Sequence, residues 1–250
     1  MVITLGNIVF GGKGNGGSST ASAYVVPDGM NFGYTSLTEF PFDDFDFSQK
    51  TNFGHCWSNC SALTSFPVID TSKGTNFEYA WYGCSSLTEF PQLDLHNGTN
   101  FFYTWRNCTS LTSFPSLDLS NGTYFVRTWY GCSNLTSFPA LDLSKGTEFE
   151  YAWGDCRSLT TISQLDLSLG TDFSYAWRNC SSLVNLGGFG AIKNSFSLSY
   201  SPKLTVESIM NIINQAATVS GKTMTFGSTN LAKLTDEQKA VATNKGWTLA

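Results

Sequence analysis

The chain has 250 residues, of which 41% are hydrophobic and only 13% charged, with a formal net charge of −5. The charged share is about half the usual one, so Ser, Thr, Asn and Gly must supply the polar surface, and the acidic balance leaves no basic stripe of the kind a nucleic-acid surface needs. No apolar run reaches the ~18 residues of a transmembrane helix.

In chain order, residues 1–12 lack a basic n-region, a long apolar stretch and a cleavage site, so no secretory signal is read there. Residues 2–5 and 8–10 read as strands. Residues 11–19, G-G-K-G-N-G-G-S-S, have the composition of a flexible linker. The phosphate-loop reading fails because no G-K-[ST] follows the glycines. Residues 1–35 therefore read as a tether or cap.

From about residue 36 to residue 186 the chain repeats every 24 residues. Cys60, Cys84, Cys108, Cys132, Cys156 and Cys180 keep that spacing. So do the tryptophans three residues before them, Trp57 to Trp177, and the leucines three after, Leu63 to Leu183. A fixed period in the range of roughly 20–50 residues marks a stacked repeat architecture. The consensus is C-S-x-L-T-x-F-P-x-L-D-L-S-x-G-T-x-F-x-Y-A-W-x-x. Within one repeat, Leu93 and Leu95 alternate with Asp94, the period-two signature of a strand. Gly98, like Gly74, Gly122, Gly146 and Gly170, implies a bend needing positive φ or a close backbone approach. Phe77, Ala80, Trp81 and Cys84 fall at the offsets of one helical face. Thr75 with Glu78, and Thr147 with Glu150, match a capping box. The expected fold class is a repeat solenoid, leucine-rich-repeat-like, with a short parallel β-strand and a short helix per 24-residue turn. With strands about 4.8 Å apart, six such turns make a rod of roughly 30 Å.

Residues 187–250 read as a C-terminal α/β cap. Strands are expected at 196–200, 222–226 and from Trp247, with helices over 206–217 and after the capping box at Thr235. Gly246 is the expected helix stop.

The seven cysteines read as buried free thiols rather than disulfides, since one per turn at one register makes an internal column. Asp70, Asp94, Asp118, Asp142 and Asp166 form a second column, extended by Asp46. Its first reading is that each carboxylate accepts a nearby backbone N–H, its second a calcium bridge between turns. His55 and His96 fall at no shared register, and no paired-carboxylate or triad motif occurs, so no catalytic residue, cofactor or metal ligand is assigned.

Two further columns lie off the inward Phe–Trp–Cys face. One contains Tyr79, Tyr103, Arg127, Tyr151 and Tyr175; the other contains Tyr82, Arg106, Tyr130 and Arg178, with Gly154 interrupting it. Rows of tyrosine and arginine are typical interface anchors, and flat rings also suit a glycan. The competing reading is that the rings stack on one another and shield the edge of the repeats.

Runs such as W-Y-G-C-S-S-L-T-E-F at residues 81–90 and L-D-L-S-N-G-T at 117–123 resemble BspA-type leucine-rich repeats of bacterial surface proteins. Trp stands here in place of the usual Phe before the Cys, and Gly-Thr in place of Val-Thr. The ending, T-N-L-A-K-L-T-D-E-Q-K-A to N-K-G-W-T-L, is similar to that of repeat proteins encoded among bacteriophage tail and virion genes. The resemblance implies adhesion or receptor binding and no catalysis. With no secretory signal read, it points to a phage tail fibre or virion adhesin that binds a host-surface glycan or protein receptor. Residues 1–35 would then face other virion proteins. The alternatives are a structural decoration or spacer protein of the virion and a bacterial cell-surface adhesin. No nucleic-acid partner and no membrane insertion is expected, and pairing of end turns makes a homo-oligomer an open option.

Overall fold

The computed structural model describes residues 3–5, 8–10, 23–39 and 44–250. Strands β1 (Ile3–Leu5) and β2 (Ile8–Phe10) pair antiparallel, Ile3 opposite Phe10. The Gly-rich linker expected at 11–19 lies outside the described residues. Strand β3 (Tyr24–Val25) then pairs parallel with β4 (Phe45–Asp46).

Parallel bridges join Asn52, Asn76, Asn100, Tyr124, Glu148 and Asp172 in sequence, so each repeat lies against the next in one register. The apolar consensus positions fill the space enclosed. Phe53, Phe77, Phe101, Phe125, Phe149 and Phe173 stack with centroids 5.2–5.6 Å apart. Beside them the six tryptophans from Trp57 to Trp177 stack at 5.2–6.0 Å. All six indole N–H groups are buried without an acceptor. An unmet donor costs about 1–3 kcal/mol, which burial of each large ring must outweigh. Phe32 heads the tryptophan column, stacked on Trp57 at 6.4 Å.

The segment expected to be helical is not. Phe77 N–H donates to Asn100 O, Tyr79 N–H to Phe102 O and Trp81 N–H to Thr104 O, each at 2.9 Å, so every second N–H leaves for the next repeat. The N–H groups between them close tight turns: Ala80 donates to Phe77 O at 3.0 Å and Tyr82 to Tyr79 O at 3.2 Å. A helix would instead carry the Trp81 N–H back to Phe77. The expected capping boxes fail with it. Glu78 N–H is capped by Asn76 Oδ1 at 3.1 Å, and Thr147 Oγ1 donates to Thr123 O at 3.3 Å. The recurrent glycines serve close approach rather than positive φ, since a Cβ on Gly122 would meet Phe125 Cζ at 2.3 Å.

The strand is also displaced from the Leu-Asp-Leu triplet. Leu93 and Leu95 are buried and Asp94 exposed as expected, but the paired strands are β5 (Ser137–Phe138), β6 (Thr161–Ile162) and β7 (Asn185–Leu186), in that order and all parallel. Proline explains why the sheet starts there. Ser163 N–H donates to Phe138 O and Gly187 N–H to Ile162 O, both at 3.0 Å. Pro67, Pro91, Pro115 and Pro139 hold the same register in the earlier repeats and have no N–H to give.

The C-terminal segment follows its expected order. Strand β8 (Phe196–Ser197) leads to α1 (Val206–Gln215), β9 (Lys222–Thr225), a four-residue α2 (Ser228–Leu231) not expected from sequence, α3 (Asp236–Asn244) and β10 (Trp247–Leu249). The strands form one parallel sheet in the order β10-β9-β8. Helix α1 buries Ile209, Ile212 and Ile213. The capping box at Thr235 is complete, with Gln238 Oε1 accepting the Thr235 N–H at 2.9 Å. Gly246 ends α3 at φ +83°.

Candidate binding surface

Two backbone positions per repeat carry positive φ. The first is two residues after the stacked Phe: His55, Tyr79, Tyr103, Arg127, Tyr151 and Tyr175, with φ between 52° and 59°. The second is the residue before the column Cys: Asn59, Gly83, Asn107, Gly131, Asp155 and Asn179. These two left-handed residues bend the segment around the Phe–Trp–Cys core. They also return alternate N–H groups to the same direction, which is why the ladder to the next repeat can form.

At the first position the side chains stack outside the core. His55 lies on Tyr79 at 4.7 Å, Tyr79 on Tyr103 at 4.7 Å, and Tyr151 on Tyr175 at 4.8 Å. Arg127 fills the gap, its guanidinium 5.4 Å from the Tyr103 ring centre and 4.8 Å from that of Tyr151. It also donates to Tyr103 Oη and to Glu150 Oε1. His55 was missed in the sequence, although it stands 24 residues before Tyr79. The second expected column runs alongside. Arg106 lies between Tyr82 and Tyr130, 5.6 and 5.1 Å from their centres, and 4.8 Å from Tyr103. Tyr130 Oη donates to Asp155 Oδ2 at 2.5 Å. That bond to a carboxylate, with burial, raises the Tyr130 pKa, and burial raises that of Tyr79. Burial also works against the Asp155 carboxylate, but hydrogen bonds from Tyr130, Asn179 and Arg157 outweigh it and hold its pKa below the usual range.

The columns differ in access. Tyr103 is only 7% exposed and acts as packing. Tyr79, Tyr82, Arg106, Arg127, Tyr130 and Tyr151 are half-buried, and Tyr175 and Arg178 are exposed. Arg178 Nη1 reaches Tyr151 Oη at 3.4 Å. The surface is thus a band of ring faces and guanidinium groups that runs from the exposed His55 to the exposed Tyr175 and Arg178.

The other columns are engaged internally. Each carboxylate of the aspartate column accepts the N–H two residues on, from Ser48 on Asp46 at 2.8 Å to Ser168 on Asp166 at 2.9 Å. The Ser48 N–H holds the Asp46 pKa below the usual range, and at Asp70 and Asp118 the hydroxyls of Ser72 and Ser120 do so together with their N–H groups. All seven cysteines are free and buried. His55 does not pair with Cys60, whose thiol lies 3.3 Å from Phe32 O and 3.4 Å from Thr35 Oγ1.

No family model, curated protein or solved structure matches the chain.

Proposed function

We propose that the chain is a leucine-rich-type solenoid that acts in recognition, as a phage tail or virion adhesin binding a host-surface receptor or glycan through the tyrosine–arginine band. One contrast carries this reading. At the second left-handed position the chain uses Asn, Gly and Asp, the residues that tolerate it. At the first it uses His, Tyr and Arg, where a bulky side chain is a backbone outlier costing about 1–3 kcal/mol. Bulky side chains held against that cost, stacked on one face and partly open to solvent, are a surface kept for contact. The assignment to a virion rests on the resemblance of the C-terminal ending to phage tail and virion repeat proteins, and that to recognition on the resemblance of residues 81–90 and 117–123 to repeats of bacterial surface proteins.

The rival reading, a structural decoration or spacer protein, draws on the bonds within the band, since Arg127 and Tyr130 already have partners in Glu150 and Asp155. Labelled protein incubated with a panel of bacteria and their isolated surface glycans separates the two. The expected result is saturable binding to one strain, reduced at least tenfold by Tyr82→Ala with Arg106→Ala, neither of which sits at a positive-φ position. Binding to viral particles and to no cell would establish the structural role instead.

A further inference from the structure

The ladder between repeats has an open end. Five times in the chain, the N–H of the stacked Phe and the N–H two residues later donate to the following repeat, from Phe53 to Asn76 O and His55 to Glu78 O, through Phe149 to Asp172 O and Tyr151 to Ser174 O. In the sixth repeat Phe173 and Tyr175 keep the same backbone, with Tyr175 at φ +55° against +53° for Tyr151. Their N–H groups nevertheless have no acceptor among the described residues, and the Thr171 carbonyl has no donor, whereas Thr147 O receives the N–H of Thr171 at 2.8 Å.

The reason lies in the chain that follows. It stays with the stack at first: Val184 N–H donates to Thr160 O at 2.9 Å, Leu167 N–H to Phe189 O at 3.0 Å, and Asn194 Nδ2 to Gly170 O at 2.9 Å. Beyond Asn194 the chain enters β8, an edge strand of the C-terminal sheet, without a backbone bond to residues 171–179 among the described residues, and it returns to the stack only at Thr205, whose N–H donates to Val184 O at 3.1 Å. A groove of about 410 Å³ remains between residues 171–175 on one wall and Ser195, Ser197, Thr223 and Thr225 on the other.

We propose that this groove is a docking site for an extended peptide of a partner protein, which adds as a parallel strand to the open ladder edge. The occupant is argued from continuity: in each of the five preceding repeats this same edge is covered by the backbone of the next one. Its donors and acceptor have backbone spacing, so one peptide residue gives its N–H to Thr171 O, and the carbonyls of the next residue and the one two further on accept from Phe173 and Tyr175. Main-chain bonds supply affinity in this mode of recognition, and side-chain pockets supply selectivity. The small hydroxyl side chains of β8 and β9 leave the room. A second copy of the chain does not fit, because its first repeat is already closed. There Asp28 Oδ1 accepts the N–H groups of Thr51 and Asn52 at 2.7 and 2.9 Å, and Phe32 and Tyr34 donate to the carbonyls of Cys56 and Ser58.

The test uses the full chain and a synthetic octapeptide with the sequence of residues 170–177, Gly-Thr-Asp-Phe-Ser-Tyr-Ala-Trp, the segment that covers this edge on the preceding repeat. Amide exchange is followed by NMR. Saturating peptide is expected to slow exchange at Phe173 and Tyr175 about tenfold or more, and Ser197→Trp, which fills the groove, is expected to abolish the effect. Should that variant not fold, Thr171→Arg at the exposed rim serves in its place. Unchanged exchange at both amides at millimolar peptide overturns the proposal. So does a chito-oligosaccharide that shifts these two amides when the peptide does not, which would make the groove a sugar site. The readout involves no host cell, so it stands apart from the recognition reading above.

Discussion

The Cys108 thiol donates to the carbonyl of Trp81 in the preceding repeat, with Sγ 3.2 Å from the oxygen, while the Cys108 N–H donates to Trp105 O in its own repeat. Cys132, Cys156 and Cys180 do the same with Trp105, Trp129 and Trp153. The column is therefore a set of inter-repeat bonds inside a buried core. Burial raises the thiol pKa, up to about 12 at Cys132 and Cys180. Since only the thiolate is a nucleophile, native protein treated with iodoacetamide at pH 8 is expected to stay unmodified at these positions. All seven cysteines should alkylate in denaturant. Native-state labelling at the unfolded rate would show that the core is not closed.

The same shift sets an alkaline limit. A thiol with its ordinary pKa near 9.0 in the unfolded chain and a raised one in the fold binds more protons when folded between those values. Stability is then complete below about pH 9 and falls as pH rises through the unfolded pKa. Denaturant midpoints from pH 7 to 11 should show that decline, and Cys132→Ala with Cys156→Ala should flatten it.

Gly122→Ala is expected to destabilise by about 1–3 kcal/mol. The added methyl would meet Phe125 Cζ at 2.3 Å and Leu119 O at 3.0 Å, and the ring is locked in its stack. Urea unfolding measures it, and an unchanged midpoint would mean that the Phe column yields easily.

Asn107→Ala places a Cβ-bearing residue without a local hydrogen-bonding side chain at φ +62°. It should cost about 1–2 kcal/mol, and Asn107→Gly should cost much less. Equal losses in the two variants would assign the effect to the Asn side chain rather than to the backbone.

Lys50 stands at the register of the repeat glycines, buried, with Nζ donating to the carbonyls of Pro27, Asp28 and Met30 at 2.8–3.1 Å. Lys50→Met leaves these carbonyls without that donor, at about 1–3 kcal/mol. Faster amide exchange in residues 26–34, with little change beyond residue 77, is the expected signature of a loosened cap. Uniform acceleration along the chain would show instead that cap and repeats open together.

Much of this was legible in the residues. The Phe, Trp, Cys and Leu columns are buried where the period placed them, and the C-terminal strands and helices begin close to their capping residues. The helix in each repeat was not legible correctly. Offsets of three, four and seven from Phe77 bury Ala80, Trp81 and Cys84 in a helix, and they do so equally in an arc with two left-handed residues. The stronger signal lay one residue before each cysteine, where Asn, Gly and Asp alternate as the left-handed region requires. The tyrosine column misled in the other direction, because nothing in a tyrosine's identity announces positive φ, or that Tyr103 would be enclosed while Tyr175 stays open.

The sequence by itself determined the period and the inward-facing set, because burial of recurrent apolar side chains is a property of spacing. The tertiary structure alone decided where the N–H groups go. The acceptor for Phe77 is the carbonyl of Asn100 in the next repeat, and no local pattern reveals a bond that exists only once the neighbour is in place. For the same reason only the structure shows that the ladder ends at Phe173 and Tyr175 with its donors unmet.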